Sequence, residues 1–129
     1  MTSKSGKYFE TGLGIYPVTV VVAHGDRQWD RFVRDYPDFD EVTERQDHAG
    51  AMTVWGPGAG GVMILGFWFP EEHRNEDQSR GAVMAHEAAH GAANVFELIA
   101  EEHHVGEPFA YLVGYLYQLI EGHLEGADK

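Results

Sequence analysis

The sequence has no cysteine. Disulfides and thiolate metal sites are therefore excluded, and any metal has to be held by histidine and carboxylate. Positive charge is scarce. Nine Lys and Arg stand against 21 Asp and Glu, for a formal net charge of −12. Nucleic-acid surfaces depend on clustered Lys and Arg, so no DNA or RNA partner is expected. Anionic membranes are disfavoured on the same ground. No apolar run approaches the length of a membrane span. Met1 to Lys7 is polar and leads into no long apolar stretch. A signal peptide is not expected, and the reading is of a cytoplasmic protein.

What is present suits one domain over residues 1–129, with 1–10 as a flexible terminus. The chain is long enough for a real core, and 43% of it is apolar. Its charge is uneven. From Gly81 to Asp128 there is no Lys or Arg but there are eight acids, and five of the eight histidines lie between His86 and His123. An acidic, histidine-rich half can hold a cation or form a solvated face.

The β-branched run Tyr16 to Ala23 reads as a strand covered on both faces. Asp26 is placed to cap a short helix, Arg27 to Asp35, that carries Trp29, Phe32 and Val33 on one stripe and ends at Tyr36-Pro37. Asp38 to Gly50 is acidic and polar, a loop or irregular strand. Ala51 to Trp55 and Val62 to Trp68 form a hairpin around a glycine-rich turn. That turn is no phosphate loop, because it lacks a Lys-Ser/Thr ending. Asp77 or Ser79 can cap a long helix from Arg80. Gly106 is a break, and Glu107 or Pro108 opens a last helix to Glu121 with Phe109, Leu112, Val113, Leu116, Leu119 and Ile120 as its apolar face.

His86-Glu87-Ala88-Ala89-His90 lies on the long helix. Residues four apart share a helical face, so two imidazoles can reach one Zn2+. Glu87 can then take a proton from a metal-bound water and pass it to the leaving group. Such a site wants a third protein ligand. A third histidine six residues after His90 is absent, since position 96 is Phe. Glu97, Glu101 and Glu102 are too far along the same helix, about 10 Å or more. Glu107 is one candidate. Glu121 or His123 is the other, if the two helices run long and antiparallel. The bland alternative is that His86 and His90 are surface histidines on an alanine-rich helix. Tyr111 and Tyr115 offer hydroxyls to an oxyanion or a ligand carboxylate, or serve as amphipathic core residues. His103-His104 diverge as helical neighbours, and His24, His48 and His73 read as loop residues without special roles. Val62 to Trp68 can supply an edge strand for an extended peptide, and Phe67, Trp68 and Phe69 a pocket or simply core.

The two blocks His86 to His90 and Glu107-Pro108-Phe109-Ala110-Tyr111-Leu112-Val113-Gly114-Tyr115 together resemble small zincin-like proteins encoded by tailed bacteriophages. The likeness covers about a quarter of the chain. Pro108 departs from it. The resemblance implies a small α+β zincin-like fold, a short mixed sheet packed on the motif helix and a second C-terminal helix. It implies a gluzincin-type zinc metallopeptidase with His86, His90 and Glu107 as ligands, and Glu87 as base. Tyr111 is the added catalytic candidate. The expected partner is one dedicated protein or peptide substrate, in phage assembly or among host factors in the host cytoplasm. The rival expectation is a non-catalytic phage structural or host-interaction protein that keeps the metal for stability. A further rival is an acidic inhibitor of host defence that mimics a polyanion.

Overall fold

A computed structural model describes residues 7–14, 16–39, 50–73, 77–98 and 107–126, with side chains from Ala110 onward in the last segment. Tyr16–His24 is the apolar run that burial on two faces demands, and it forms strand β2. The strand before it, β1, is Phe9–Leu13. The hairpin strands are β3, Met52–Pro57, and β4, Met63–Phe69, joined by a 3₁₀ turn at Ala59–Gly61. Helices α1, α2 and α3 span Asp26–Asp35, Arg80–Leu98 and Glu107–Gly126.

The four strands form one mixed sheet in the order β1-β2-β4-β3. The central pair is parallel, with Val18 opposite Met63 and His24 opposite Phe69. The two outer pairings are antiparallel. Strand alternation then sorts the side chains into two cores. Val18, Val20, Val22, Leu65, Phe67 and Phe69 face α2 and α3. Val21, Ala23, Ile64 and Trp68 face Trp29 and Phe32 of α1. The chain thus leaves β2 for one face of the sheet and leaves β4 for the other.

The mixed sheet and its two C-terminal helices agree with the α+β expectation. Several local readings are corrected. The first strand starts at Phe9, within the span assigned to a flexible terminus. Gly25, at φ 94°, precedes α1, and Asp26 is its first helical residue rather than its cap. Ser79 does cap α2, its Oγ accepting the Ala82 N–H at 3.1 Å. Strand β4 lies between β2 and β3, so the peptide-binding edge expected at Val62 to Trp68 is an interior strand. Phe67, Trp68 and Phe69 are all core. The break at Gly106 and the loop through 40–49 lie outside the described residues. Among the described residues no helix is long and apolar enough to cross a membrane.

Strand β1 is tied to α1 by two tyrosines. The Tyr8 hydroxyl donates to Asp35 at 3.0 Å, and the Tyr36 hydroxyl donates to Glu10. Burial first, then the bond to Asp35 and the neighbouring carboxylates, pushes the Tyr8 phenol from 10 up to about 12. The Tyr36 phenol is pushed higher still, by burial and then by its bond to Glu10. The folded state therefore favours both neutral phenols. Each contribution is complete below the unfolded value near pH 10; that of Tyr8 is lost as pH rises through its folded value near 12, and that of Tyr36 at higher pH still. The expected result is a melting temperature that drops between pH 10 and about 12 beyond the fall shared with other groups. Replacing both tyrosines by Phe should flatten that drop. An unchanged drop in the double variant would show that other groups carry it.

Candidate functional site

Helix α2 is alanine-rich, which favours helix and lets it approach the sheet closely. Its buried stripe is Val83, Met84, Glu87, Ala88, Gly91, Ala92, Val95 and Phe96. Glu87 therefore belongs to the inward face. It is only 8% exposed, and its carboxylate accepts a hydrogen bond from the Thr53 hydroxyl on β3. The same hydroxyl lies 3.4 Å from the Glu87 backbone carbonyl. Glu87 thus fastens the edge strand to α2.

His86 and His90 are on the exposed face. Their Nε2 atoms are 3.1 Å apart and their rings meet edge to face, with centroids 4.6 Å apart. One N–H···N hydrogen bond fits that contact, and it needs at least one neutral ring. Tyr111, at 74% exposed, and Tyr115, at 44%, stand on the outer side of α3. Tyr111 is a surface residue and not an amphipathic core tyrosine. Glu107 opens α3, and its side chain lies outside the described residues, as do His48, His103 and His104.

The Glu121 and His123 alternatives fail on helix register. The point where a β-carbon on Gly81 would sit is 3.3 Å from the Tyr117 hydroxyl. Four residues of helix advance about 6 Å. Glu121 and His123 therefore pass the start of α2, while His86 lies more than a turn inside it.

A zinc ion of this type needs at least three protein donors. Among the described residues, no group of three His, Cys, Asp or Glu side chains is placed to hold one. Within the described residues the motif places two exposed histidines side by side and one buried glutamate bonded to Thr53. The zincin-like fold, the zinc cofactor, the gluzincin-type peptidase and the metal-retaining phage protein are all corrected by this finding. The resemblance to the phage-encoded zincins is not supported.

The structure instead gathers polar residues that the sequence reading kept apart. His24, expected in a loop, is the buried last residue of β2, at the carboxyl end of the parallel pair, and is only 8% exposed. Gln28, 2% exposed, sits in the first turns of α1. Its Oε1 accepts the His24 backbone N–H at 2.9 Å, which identifies that atom as the oxygen. His123 Nε2, 2.8 Å from the same oxygen, must then carry a proton. Arg80 can only donate, so His24 Nε2, 2.7 Å from its Nη2, is the acceptor. The His24 ring is therefore neutral, with its proton on Nδ1. Arg80 also reaches the Pro70 carbonyl at 3.3 Å. Residues from β2, α1, α2 and α3 meet in this one network. The signal for it was composition alone: a glutamine on the apolar side of α1, near Trp29.

The outer surface of the α2–α3 layer is the second feature. From Gly81 to Phe96 the only charged residue is the buried Glu87, and from Pro108 to Ile120 there is none. Ala82, His86, His90, Ala110, Tyr111, Gly114 and Tyr115 are exposed there. Exposed Glu97 lies at the end of α2, and exposed Glu121 and Glu125 toward the end of α3. No protein-family model, curated protein or solved structure matches this chain.

Proposed function

We propose that the chain is a protein-interaction module that binds through the outer face of α2 and α3. The observation that supports this is charge depletion. In a chain that is 23% charged, this face carries no exposed charge over Gly81 to Phe96 and Pro108 to Ile120. Interface cores are depleted in charge and enriched in tyrosine, and tyrosines often dominate binding energy. Tyr111 and Tyr115 rise one turn apart beside the small residues Ala110 and Gly114, which leave the backbone open to close approach. The rim is acidic, through Glu97, Glu121 and Glu125. The partner is a protein that presents an apolar patch edged by Lys and Arg. A second copy of this chain would set acid against acid.

The test is an NMR titration with a synthetic amphipathic helix, one face Leu and Ala, flanked by Lys and Arg. Resonances of Ala82, His86, His90, Tyr111 and Gly114 should shift together and saturate. Tyr111→Ala should raise Kd about tenfold, in line with loss of an aromatic anchor. The same peptide with Glu flanks should not bind. Shifts confined to other surfaces, or equal binding of both peptides, would sink the reading. So would self-association through this face.

A further inference from the structure

Strand β1 is the outer strand of the sheet on the side where α3 packs. Between them runs a cleft of about 550 Å³. Small-molecule sites are typically about 300–1,000 Å³, mostly apolar, with a few polar groups that fix orientation. Phe9 from β1 and Leu119 from α3, both half-buried, form the apolar floor, beside the His123 ring at 6.0 Å from Phe9. Gly122 forms part of the wall, and nothing lies within 4 Å of where its β-carbon would be. Lys7 and Gln118 sit on the same lining. Two other polar groups there already have partners: the Tyr8 hydroxyl is held by Asp35 and His123 Nε2 by Gln28.

The charge of this lining is the informative part. Among the described residues no carboxylate lines the cleft, while one ammonium does. An apolar volume with a single positive charge complements an apolar body with a single negative one. The geometry points to a binding site for a small amphipathic monocarboxylate, its hydrocarbon on Phe9 and Leu119 and its carboxylate on Lys7 with help from the Gln118 amide. This site is separate from the proposed docking face, and the two stand or fall independently.

The probes are octanoate and 1-octanol, which share a chain and differ in the charged head. Calorimetric titration of the full chain should give one octanoate site, with octanol about fivefold weaker, the modest gain of a partly exposed charge pair. Lys7→Gln should bring octanoate down to the level of octanol. Gly122→Leu should plug the cleft and remove binding of both. Its melting temperature should not fall, because the space is open and leucine favours helix over glycine. That separates a filled site from a broken fold. Equal affinity for octanoate and octanol overturns the proposal. Undiminished binding in Gly122→Leu, or no saturable binding of octanoate, overturns it too. Binding that appears only after residues 1–6 are removed would assign the cleft to the chain's own first residues.

Discussion

Phe32→Ala is expected to cost about 3–5 kcal/mol of folding stability, the range for deleting a fully buried aromatic ring. Phe32 is the hub of the core on the α1 side of the sheet. Its ring lies 5.1 Å from Trp29, 5.1 Å from Tyr36, 5.8 Å from Phe39 and 5.9 Å from Tyr8, centroid to centroid. It also lies over Gly66 on β4, where a β-carbon would stand 3.6 Å from the ring and 2.8 Å from Val54 Cγ2. Neighbours of that size cannot collapse into the hole without leaving their own positions, so the cavity term is kept. Domains of this kind are stable by only about 5–15 kcal/mol, so the loss is a large share of the total. Urea unfolding should show a lower midpoint at an unchanged slope. Arg34→Ala, on the exposed side of the same helix, should stay within about 0.5 kcal/mol. Equal effects in the two variants would mean that α1 is not anchored as described.

The sequence carried the elements better than it carried their directions. The run Tyr16 to Ala23 could be little else than a covered strand, and Asp77 or Ser79 before an alanine-rich stretch marked the start of α2. Strand β1 was missed because Phe9–Leu13 is short and contains a glutamate and a glycine, so it has no sustained alternation. Its place comes from pairing with β2, a tertiary fact. The motif from His86 to His90 was legible as spacing, but spacing alone says nothing about which side of the helix meets the sheet. That side was readable from the neighbours. Val83, Glu87, Gly91 and Val95 recur every four residues beside Met84, Ala88 and Ala92, and this stripe puts Glu87 inward and both histidines outward. The polar network of His24, Gln28, Arg80 and His123 draws on four elements spread from the first quarter of the chain to its end. No local pattern announces such a meeting, because it is made only when the parallel strands bring their carboxyl ends together.

Gly91 shows the same dependence on the sheet, and Gly91→Leu should be the more damaging of two glycine changes in the helical layer. A β-carbon at Gly91 would stand 2.7 Å from Phe67 Cζ and 3.1 Å from Leu65 Cδ2. Both side chains are fully buried, so neither has solvent to move into. Glycine at this position is what lets α2 lie down on β4. Leucine brings four carbons to a place with no room for one. Overpacking typically costs about 1–3 kcal/mol and more when the backbone must shift, and the expected loss here is about 3 kcal/mol or more. Gly114→Ala is the counterpart. Nothing lies within 4 Å of its added carbon, and it faces solvent on α3. Alanine there should stabilise the helix by up to about 1 kcal/mol. Thermal unfolding of the two variants should therefore move in opposite directions from the wild type. If Gly91→Leu melted with the wild type, α2 would have to sit farther from the sheet than Phe67 and Leu65 require. Glu87 would then lose the inward position that the hydrogen bond from Thr53 gives it.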